Sequence, residues 1–442
     1  MGIGGIGMSA LARFFLLQGK QVFGYDLTAT EITEQLMAAG AHIHFVEDVN
    51  QIPEQIDVVI YTPAIPKEHQ EYQYFVKHQT PLFKRSEILG MICKEHPTIA
   101  VAGTHGKTTT TAMLTQMMAS SKSKILAFIG GISKNLGSNF VGEIDFNTVI
   151  VEADEFDRSF LTLHPQIAII TSIDADHLDI YGDREHLKKS FQLFANQIKP
   201  DGTLIIYDEI ADQIEHSHKV TYGFSDHAHY QISNIQYENG ITTFELSHPL
   251  ITPSPHHLII NIPGKHNVLN AVAALAACIE FSGMDLLVSF VEKLAGFAGV
   301  KRRFDIRVQR DDFMYIDDYA HHPEEIKAFL DAVKKSYPAK KITGIFQPHL
   351  YSRTRDFAQD FAAALAMLDE IILLDIYPAR EKPIEGITSN YLLSFIPKEN
   401  KKLIKKEDLV SYLKQHKPEI LLTMGAGDID KIVPILESSF GT

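Results

Sequence analysis

The sequence predicts an α/β fold divided into three domains, and three observations lead to this prediction. The chain has 442 residues, which is more than one ordinary domain contains. Short apolar runs alternate with helical stretches along most of it, the pattern of parallel sheets covered by helices. New units also open at residues 97–120, with a strand, a glycine loop and a helix, and near residues 299–305. We therefore expect domains over 1–96, 97–298 and 299–442.

The bulk composition describes a globular protein, with 45% hydrophobic and 22% charged residues. A net charge of -14 argues against a nucleic-acid binder, which needs a basic face. Cys93 and Cys278 match neither a disulfide framework nor a zinc site. The apolar run 271–278 is too short to span a bilayer, and residues 1–10 lack the features of a signal peptide. We expect a cytoplasmic protein with no nucleic-acid or membrane partner.

The first segment alternates strands and helices. Strands are predicted over 20–26 and 56–65, and helices over 10–19 and 29–40, each helix ending at a glycine. This βα alternation predicts a parallel sheet.

The chain begins MGIGGIGMSA, in which Gly2, Gly4 and Gly7 form the G-x-G-x-x-G pattern of a diphosphate-binding loop. Such a loop normally follows a buried strand, but here only Met1 precedes it. The pattern therefore leaves two interpretations open, a nucleotide site or a glycine-rich start without that role.

The second segment opens with a strand, a glycine loop and a helix over 97–120. Alternation then becomes β-rich over 229–262, with a hairpin turn expected at residues 238–240. A helix over 267–283 closes the segment. Further strands are predicted in the second segment at 147–154, 165–173 and 202–208, and in the third at 340–348, 369–379 and 418–428.

The stretch AGTHGKTTTT at residues 102–111 has the strongest chemical signal. Gly103 and Gly106 permit a tight loop between strand and helix, whose N–H groups can surround phosphates. Lys107 can reach outer phosphate oxygens and the Thr108 hydroxyl can hold Mg²⁺. Val101 stands where the usual pattern has its first glycine, so this is a variant loop, and a chance glycine turn is the alternative.

Two acidic stretches follow predicted strands, where parallel sheets place ligands. Glu152 opens EADEFDRSF, and His177 lies between Asp176 and Asp179. Carboxylates beside a phosphate loop are natural Mg²⁺ ligands. The alternatives are a solvated turn for the acids and a structural role for the histidine.

Amide and basic residues mark the later ligand candidates. Asn267 and Asn270 lie at a helix start, where they cap the helix or contact a purine edge. Arginine and histidine are dense in 299–305, 317–325 and 346–356, and guanidinium groups there suit a carboxylate-bearing substrate. Surface charge at a domain boundary is the alternative.

Taken together, these stretches resemble the Mur ligases, the ATP-dependent amide-forming enzymes of bacterial cell-wall synthesis. The matches run in family order over essentially the whole chain. GIGGIGMSA, DDYAHHP and QPH-x-YSRT point to the members that add L-alanine rather than later residues. The matching motifs are GIGGIGMSA, GTHGKTTTT, EADE-x-D, DADHLD, PG-x-HN-x-x-NA, RRF, DDYAHHP, QPH-x-YSRT, YPARE and GAGDI.

The resemblance implies a Rossmann-like first domain, a central P-loop ATPase-like domain and a Rossmann-like last domain. It implies UDP-N-acetylmuramate, L-alanine and ATP as substrates, Mg²⁺ or Mn²⁺ as cofactor, and a monomer or weak homodimer. ATP would phosphorylate the lactyl carboxylate, and the alanine amine would attack the acyl phosphate. Lys107, Glu152, His177, Arg303 and His321 would be the catalytic residues.

The resemblance also assigns binding residues. The UDP-substrate residues would be Gly4, Gly5, Ile6, Gly7, Met8, Ser9, Asp26, Thr62 and Ala64. The ATP residues would be Gly103, Thr104, His105, Gly106, Lys107, Thr108, Thr109, Asn267, Asn270, Arg303 and Asp318. The metal ligands would be Thr108, Glu152 and His177, and the alanine pocket would contain His321, His349 and Arg353.

The sequence departs from the family pattern in four places. Leu350 stands where some relatives have a second arginine, which puts one carboxylate contact in doubt. Phe191 stands where sister ligases have a carbamoylated lysine, and Ser172 where the family often has asparagine. Family members also have a short apolar strand before the first loop. We therefore expect a gap or rearrangement in the first sheet and weakened UDP-substrate binding, with the ATP site intact.

Three rival functions differ in the residues that they require. A ligase that joins a whole tripeptide to the same sugar nucleotide should lack QPH-x-YSRT. A nicotinamide-dependent dehydrogenase would use the first loop and Asp26, but it needs no cradle for a γ-phosphate. A nucleotide-switch protein would not need the His and Arg clusters of the last segment.

Overall fold

The computed structural model describes residues 1–119, 124–174, 183–238, 240–251, 255–379 and 381–441. The chain folds into two compact units. The first unit contains residues 1–234, 244–260 and 269–298, and the second contains 235–243, 261–268 and 299–442.

The α-helices have the following bounds: α1 Ile6–Leu17, α2 Glu31–Ala38, α3 Gln70–Lys77, α4 Arg85–Lys94, α5 Lys107–Met118, α6 Arg184–Ala195, α7 Lys265–Ser282, α8 Leu287–Ala295, α9 Pro323–Ser336, α10 Tyr351–Asp356, α11 Ala358–Leu365, α12 Ser389–Phe395, α13 Leu409–Gln415 and α14 Val433–Phe440. Short 3-10 helices span Val49–Gln51, Phe156–Thr162, Asp208–Gln213, Met284–Leu286, Lys406–Asp408 and Asp428–Ile432.

The strands have the following bounds: β1 Phe23–Tyr25, β2 His42–His44, β3 Val59–Tyr61, β4 Leu82–Lys84, β5 Thr98–Ala102, β6 Ile125–Ser133, β7 Ser138–Gly142, β8 Thr148–Glu152, β9 Ile167–Ile170, β10 Thr203–Tyr207, β11 Lys219–Gly223, β12 Tyr230–Glu238, β13 Ile241–Ser247, β14 His256–Ile260, β15 Asp305–Gln309, β16 Met314–Asp318, β17 Ile342–Phe346, β18 Glu370–Leu373, β19 Lys401–Leu403 and β20 Ile420–Met424.

The strands predicted from the sequence are all present, generally shorter than expected. The turn expected at 238–240 includes residue 239, which lies outside the described residues.

The first segment contains two separate parallel pairs of strands, β1 with β2 and β3 with β4. Residues 1–3 lie between the pairs. The Met1 nitrogen donates to Ile60 O in β3 at 2.7 Å, and Gly2 N donates to Tyr25 O in β1 at 2.8 Å. Residues 1 and 2 therefore connect one strand of each pair.

A ten-stranded sheet forms the centre of the first unit, in the order β14-β13-β12-β11-β10-β9-β5-β8-β6-β7. Its middle strand β5 pairs in parallel with β8 and β9, and every residue of β5 is buried. Its sequence TIAVA is nearly all apolar and includes β-branched residues, which suits a strand that is covered on both faces. Because the carboxyl ends of parallel strands meet at one edge, the segments after residues 102, 152 and 170 lie together.

The second unit has a six-stranded sheet in the order β15-β16-β20-β17-β18-β19, with β15 antiparallel to its neighbour. Helix α9 illustrates how the sequence specifies the two ends of a helix in this unit. Pro323 opens it, Glu324 and Glu325 occupy its first turn, and Lys334 and Lys335 its last. Each charge complements the helix dipole at its end.

Among the described residues, the helices are each too short or too polar to cross a membrane.

Candidate functional site

The loop between β5 and α5 depends on two glycines. Gly103 has φ +137° and Gly106 has φ +83°, the left-handed region that side chains disfavour. A Cβ on Gly103 would overlap Thr171 Oγ1, and one on Gly106 would overlap Asn270 Oδ1. The loop can therefore close only with glycine at both positions, and its N–H groups stay at the start of α5.

Ser172 holds this loop in place from the end of β9. Its hydroxyl oxygen accepts from His105 N at 2.9 Å and lies 2.9 Å from Thr104 Oγ1. Its carbonyl accepts from Thr104 N at 3.2 Å, and Thr104 Oγ1 accepts from Asp174 N at 3.0 Å. The serine that replaces the family's usual asparagine thus supports the loop with its own hydroxyl.

Lys107 points back along the loop rather than into solvent. Its ammonium donates to Gly103 O at 2.6 Å and to Glu155 Oε1 at 2.8 Å. Burial lowers the pKa of Lys107, but attraction to Glu155, Asp154 and Glu152 outweighs it, so the net shift is upward. The lysine is therefore charged at neutral pH.

Glu155 is a site residue that the sequence-based assignment missed. Its side chain is fully buried against the Lys107 ammonium. The signal was available, because Glu155 belongs to the acidic run that follows β8. Only the fold shows that it, rather than Glu152, faces the lysine.

Glu152 and Thr108 lie together, as predicted. Thr108 Oγ1 donates to Glu152 Oε1 at 3.1 Å, and Gly130 N donates to Glu152 Oε2 at 2.9 Å. A hydroxyl and a carboxylate at a phosphate loop are the hard oxygen donors that Mg²⁺ prefers, so these residues fit that ion. The third predicted ligand, His177, lies outside the described residues.

Phe191 stands at the position of the sister ligases' modified lysine and lies in the apolar core. It is fully buried and packs edge-on against Phe160, with ring centroids 5.4 Å apart.

In the first glycine loop, some backbone N–H groups already donate to acceptors within the protein. Gly4 N donates to Asp26 Oδ2 at 2.7 Å, and Ser9 N donates to Gly5 O at 2.8 Å. Both N–H groups thus have protein acceptors, and the contact of Gly4 and Ser9 with the UDP-substrate stays a prediction. The first turn of α1, residues 6–8, presents N–H groups that have no acceptor within the helix.

Other predicted UDP residues lie near this loop. Gly5 N donates to Gly2 O at 3.2 Å, and Thr62 packs so closely that a Cβ on Gly2 would lie 2.6 Å from its methyl carbon. Ala64 N lies 3.5 Å from Thr62 Oγ1.

Asn139 joins the first loop to the central sheet. It lies on β7, is fully buried, and its Nδ2 donates to Ser9 Oγ at 2.9 Å and to Ile6 O at 2.5 Å. The β6–β7 hairpin was not predicted, because its residues have no clear alternation.

The two residues predicted to contact adenine lie in different surroundings. Asn270 lies against Gly106, beside the phosphate loop. Asn267 is buried, and its Nδ2 donates to Pro263 O at 2.7 Å. That bond ties Asn267 to the turn before α7, and its contact with adenine stays a prediction.

In the second unit, the Asp318 carboxylate points towards backbone N–H groups of nearby residues. Its carboxylate accepts from Phe304 N at 2.7 Å and Ala320 N at 2.8 Å, and burial raises its pKa to about 6. Its contact with ATP stays a prediction. Arg303 lies over the Tyr319 ring, 5.0 Å from its centroid.

The predicted alanine residues lie close together. The His321 and His349 rings are 5.9 Å apart, and His349 stacks on Tyr377. Burial lowers the pKa of His321 to about 4 against the opposing attraction of Glu325, with smaller contributions in the same direction from Arg353 and Arg303. His321 is therefore neutral near pH 7. Leu350 has φ +69° immediately before α10, which carries Arg353.

Comparisons with known proteins agree with this arrangement. Three family descriptions match in order: the Mur ligase family catalytic domain over residues 1–97, the Mur ligase middle domain over 101–278, and the Mur ligase glutamate ligase domain over 302–427.

Similar proteins cover nearly the full length. The chain is 46% identical to the UDP-N-acetylmuramate–L-alanine ligase of Christiangramia forsetii, covering 98% of this chain and 95% of that one. It is 47% identical to the enzyme of the same name from Flavobacterium psychrophilum, with the same coverage. The crystal structure of UDP-N-acetylmuramate-alanine ligase from Thermotoga maritima has a TM-score of 0.84 at 28% identity, covering 99% of this chain and 97% of that one.

A murein peptide ligase from Psychrobacter arcticus shares the fold, with a TM-score of 0.73 at 21% identity, covering 100% of this chain and 98% of that one. Three domain families match in order, and the relatives cover nearly the full length of the chain. The chain belongs to the Mur ligase family.

Proposed function

We propose that this protein is an ATP-dependent ligase that joins L-alanine to the lactyl carboxylate of UDP-N-acetylmuramate. The observation that carries the proposal is the 46–47% identity over 98% of the chain to ligases named for that reaction. The phosphate loop with its charged lysine supports it, because activating a carboxylate requires a γ-phosphate cradle.

The reaction has two steps. A carboxylate oxygen attacks the γ-phosphorus of ATP and ADP leaves, giving an acyl phosphate. The amine of L-alanine then attacks the acyl carbon, phosphate leaves, and the amine loses a proton. Both steps bring anions together, so the protein contributes mainly position and positive charge.

Lys107 is the residue that stabilises the transferred phosphoryl group. Its ammonium is held by Glu155 and by Gly103 O in the structure, so phosphate oxygens would replace those acceptors. Thr108 and Glu152 would hold Mg²⁺ or Mn²⁺, with His177 as the proposed third ligand. The ion would supply Lewis-acid polarisation of the phosphate.

The amino-acid pocket is proposed at His321, His349 and Arg353. Because His321 is neutral near pH 7, the planar guanidinium of Arg353 is the group suited to the alanine carboxylate. Arg303 remains a proposed ATP contact. We further propose a cytoplasmic location, a monomer or weak homodimer, and no nucleic-acid partner.

Phosphate release from ATP tests the proposal. With UDP-N-acetylmuramate present, turnover should depend on L-alanine and be lower with glycine or L-serine. Turnover with L-alanyl-γ-D-glutamyl-diaminopimelate but not with L-alanine would establish the tripeptide-recycling reaction instead. Absence of turnover with either acceptor would refute the ligase assignment.

A further inference from the structure

Arg85 is a charged residue that neither the motif comparison nor the proposed mechanism uses. It opens helix α4, the last helix before β5. Its guanidinium packs against the first glycine loop, where a Cβ on Gly7 would lie 2.9 Å from Arg85 Nη1 and 3.0 Å from Cδ. Gly7 therefore makes room for the arginine as well as for the loop.

The backbone that presents Arg85 is fixed to the central sheet. Ser86 O accepts from Thr162 Oγ1 at 3.0 Å, in the 3-10 helix that follows β8. Gly90 approaches the same helix so closely that a Cβ there would lie 2.8 Å from Thr162 O. The position of the guanidinium is thus set by both the first loop and the acidic segment.

The same arginine lines a small cleft beside the acidic segment that follows β8. Arg85, Ser86, Glu152, Asp154 and Ser159 are among its lining residues. Asp154 Oδ2 lies 3.7 Å from Arg85 Nη2, which is beyond hydrogen-bond distance. The arginine therefore lies between the first turn of α1 and the acidic segment that follows β8.

The local electrostatics of this arrangement favour an anion. The guanidinium lies beside the first turn of α1, which contains no acidic residue, whereas the first turn of its own helix contains Glu87 and Asp154 lies 3.7 Å away. Helix amino termini carry partial positive charge, so a cation there is unfavourable unless a negative group lies close to it. A phosphate bound at the first turn of α1 would lie beside the guanidinium and receive hydrogen bonds from both.

We propose that Arg85 binds the diphosphate of the UDP-sugar substrate and thereby positions its lactyl end in the cleft towards Glu152. This inference rests on the proposed function, because it takes the first loop as the UDP site. The planar fork of arginine suits two phosphate oxygens, which a lysine ammonium meets only as a point charge.

Calorimetric binding of three ligands to the full chain tests the inference. UDP alone has the diphosphate, UDP-N-acetylglucosamine adds the sugar, and UDP-N-acetylmuramate adds the lactyl carboxylate. Arg85→Gln should weaken all three by a similar factor of about tenfold or more, and Arg85→Lys should recover part of the loss. ADP binding should be unchanged in both variants, which shows that the phosphate loop is still folded.

Arg310→Gln is the matched control, because Arg310 pairs with its neighbour Asp312 at the surface of the other unit. Unchanged UDP affinity in Arg85→Gln overturns the inference. If only UDP-N-acetylmuramate binds more weakly, the guanidinium contacts the lactyl carboxylate and the inference is overturned. Failure of the wild-type chain to bind any of the three ligands also overturns the inference. The proposed function fails separately, through lack of alanine-dependent phosphate release.

Discussion

The Lys107–Glu155 pair is the strongest buried charge interaction at the phosphate loop. Replacing Glu155 by glutamine leaves the lysine ammonium without its carboxylate, which typically costs about 3 kcal/mol of unfolding free energy. We expect Glu155→Gln to show that loss in urea denaturation. Added ADP should stabilise the variant more than the wild type, because phosphates restore negative charge beside the ammonium.

The control for this variant is Asp145→Asn, which removes the partner of Lys124 in an exposed pair. That change should have little effect on stability. An equal response of Glu155→Gln and wild type to ADP would show that phosphate does not take the place of Glu155.

His321 makes stability depend on pH in a definite direction. Its pKa is about 4 in the folded chain against 6.5 unfolded, so between those values only the unfolded chain gains the proton. Stability therefore falls as pH drops from 6.5 to 4, by about 3 kcal/mol. Comparing urea denaturation at pH 6.5 and 4.5, we expect His321→Gln to lose less stability than wild type.

Asp318 acts with the opposite sign. Burial raises its pKa to about 6, so the folded chain holds the proton over a range in which the unfolded chain has released it. Its contribution is present below pH 3.8 and is lost as pH rises through 6. In His321→Gln this opposing trend should become visible, and Asp318→Asn should remove it. An identical pH profile in wild type and His321→Gln would contradict the assigned burial of the imidazole.

At the scale of elements, Gly106 of the phosphate loop has a matched control in Gly137, which lies between β6 and β7. Gly106 and Gly137 both have positive φ, but a Cβ at Gly137 meets nothing within 4 Å. Both alanine variants incur backbone strain, whereas only Gly106→Ala also collides with Asn270. We expect Gly106→Ala to lose ADP binding in calorimetry and Gly137→Ala to keep it. Similar ADP affinities in the two variants would show that the Asn270 contact has no role.

The sequence predicted the elements of this loop well, for physical reasons. The buried strand ending at Ala102 and the helix beginning at Lys107 are local in origin, since apolar patterning and glycine positions specify both. The partner of Lys107 is not local. Glu152 and Glu155 are both acidic residues at the end of β8, and only the short turn between them determines which one reaches the ammonium.

The same limit applies to the first loop. Its glycine spacing predicted a diphosphate site, but the hydrogen bonds of Gly4 with Asp26 and of Ser9 with Gly5 depend on how the loop meets β1 and α1. The support from Asn139 could not be predicted, because the hairpin that carries it lies 130 residues further along the chain than Ser9.

At the scale of the whole molecule, the UDP loop and the phosphate loop belong to one compact unit. Asn139 is the residue through which the central sheet holds the UDP loop. Asn139→Ala removes two donated hydrogen bonds, each contributing about 1 kcal/mol, so UDP binding should weaken roughly tenfold or more. ADP affinity, measured in the same calorimetric series, should not change.

The nearby Ser138→Ala variant serves as the control, because the Ser138 hydroxyl accepts a local bond from Phe140 N on the same strand. It should bind UDP as the wild type does. Loss of ADP affinity in Asn139→Ala would instead indicate a general disturbance of the sheet.

The close approach of Gly90 to Thr162 has a consequence for how such enzymes diverge. No ligand needs to touch Gly90, yet any larger residue there would push α4, and Arg85 at its start, away from the acidic segment. Exchanges at this helix crossing would change affinity for the sugar nucleotide while leaving every residue of the phosphate loop in place. Substitutions at Gly90 during evolution could therefore change the affinity for the sugar nucleotide without changing the affinity for ATP.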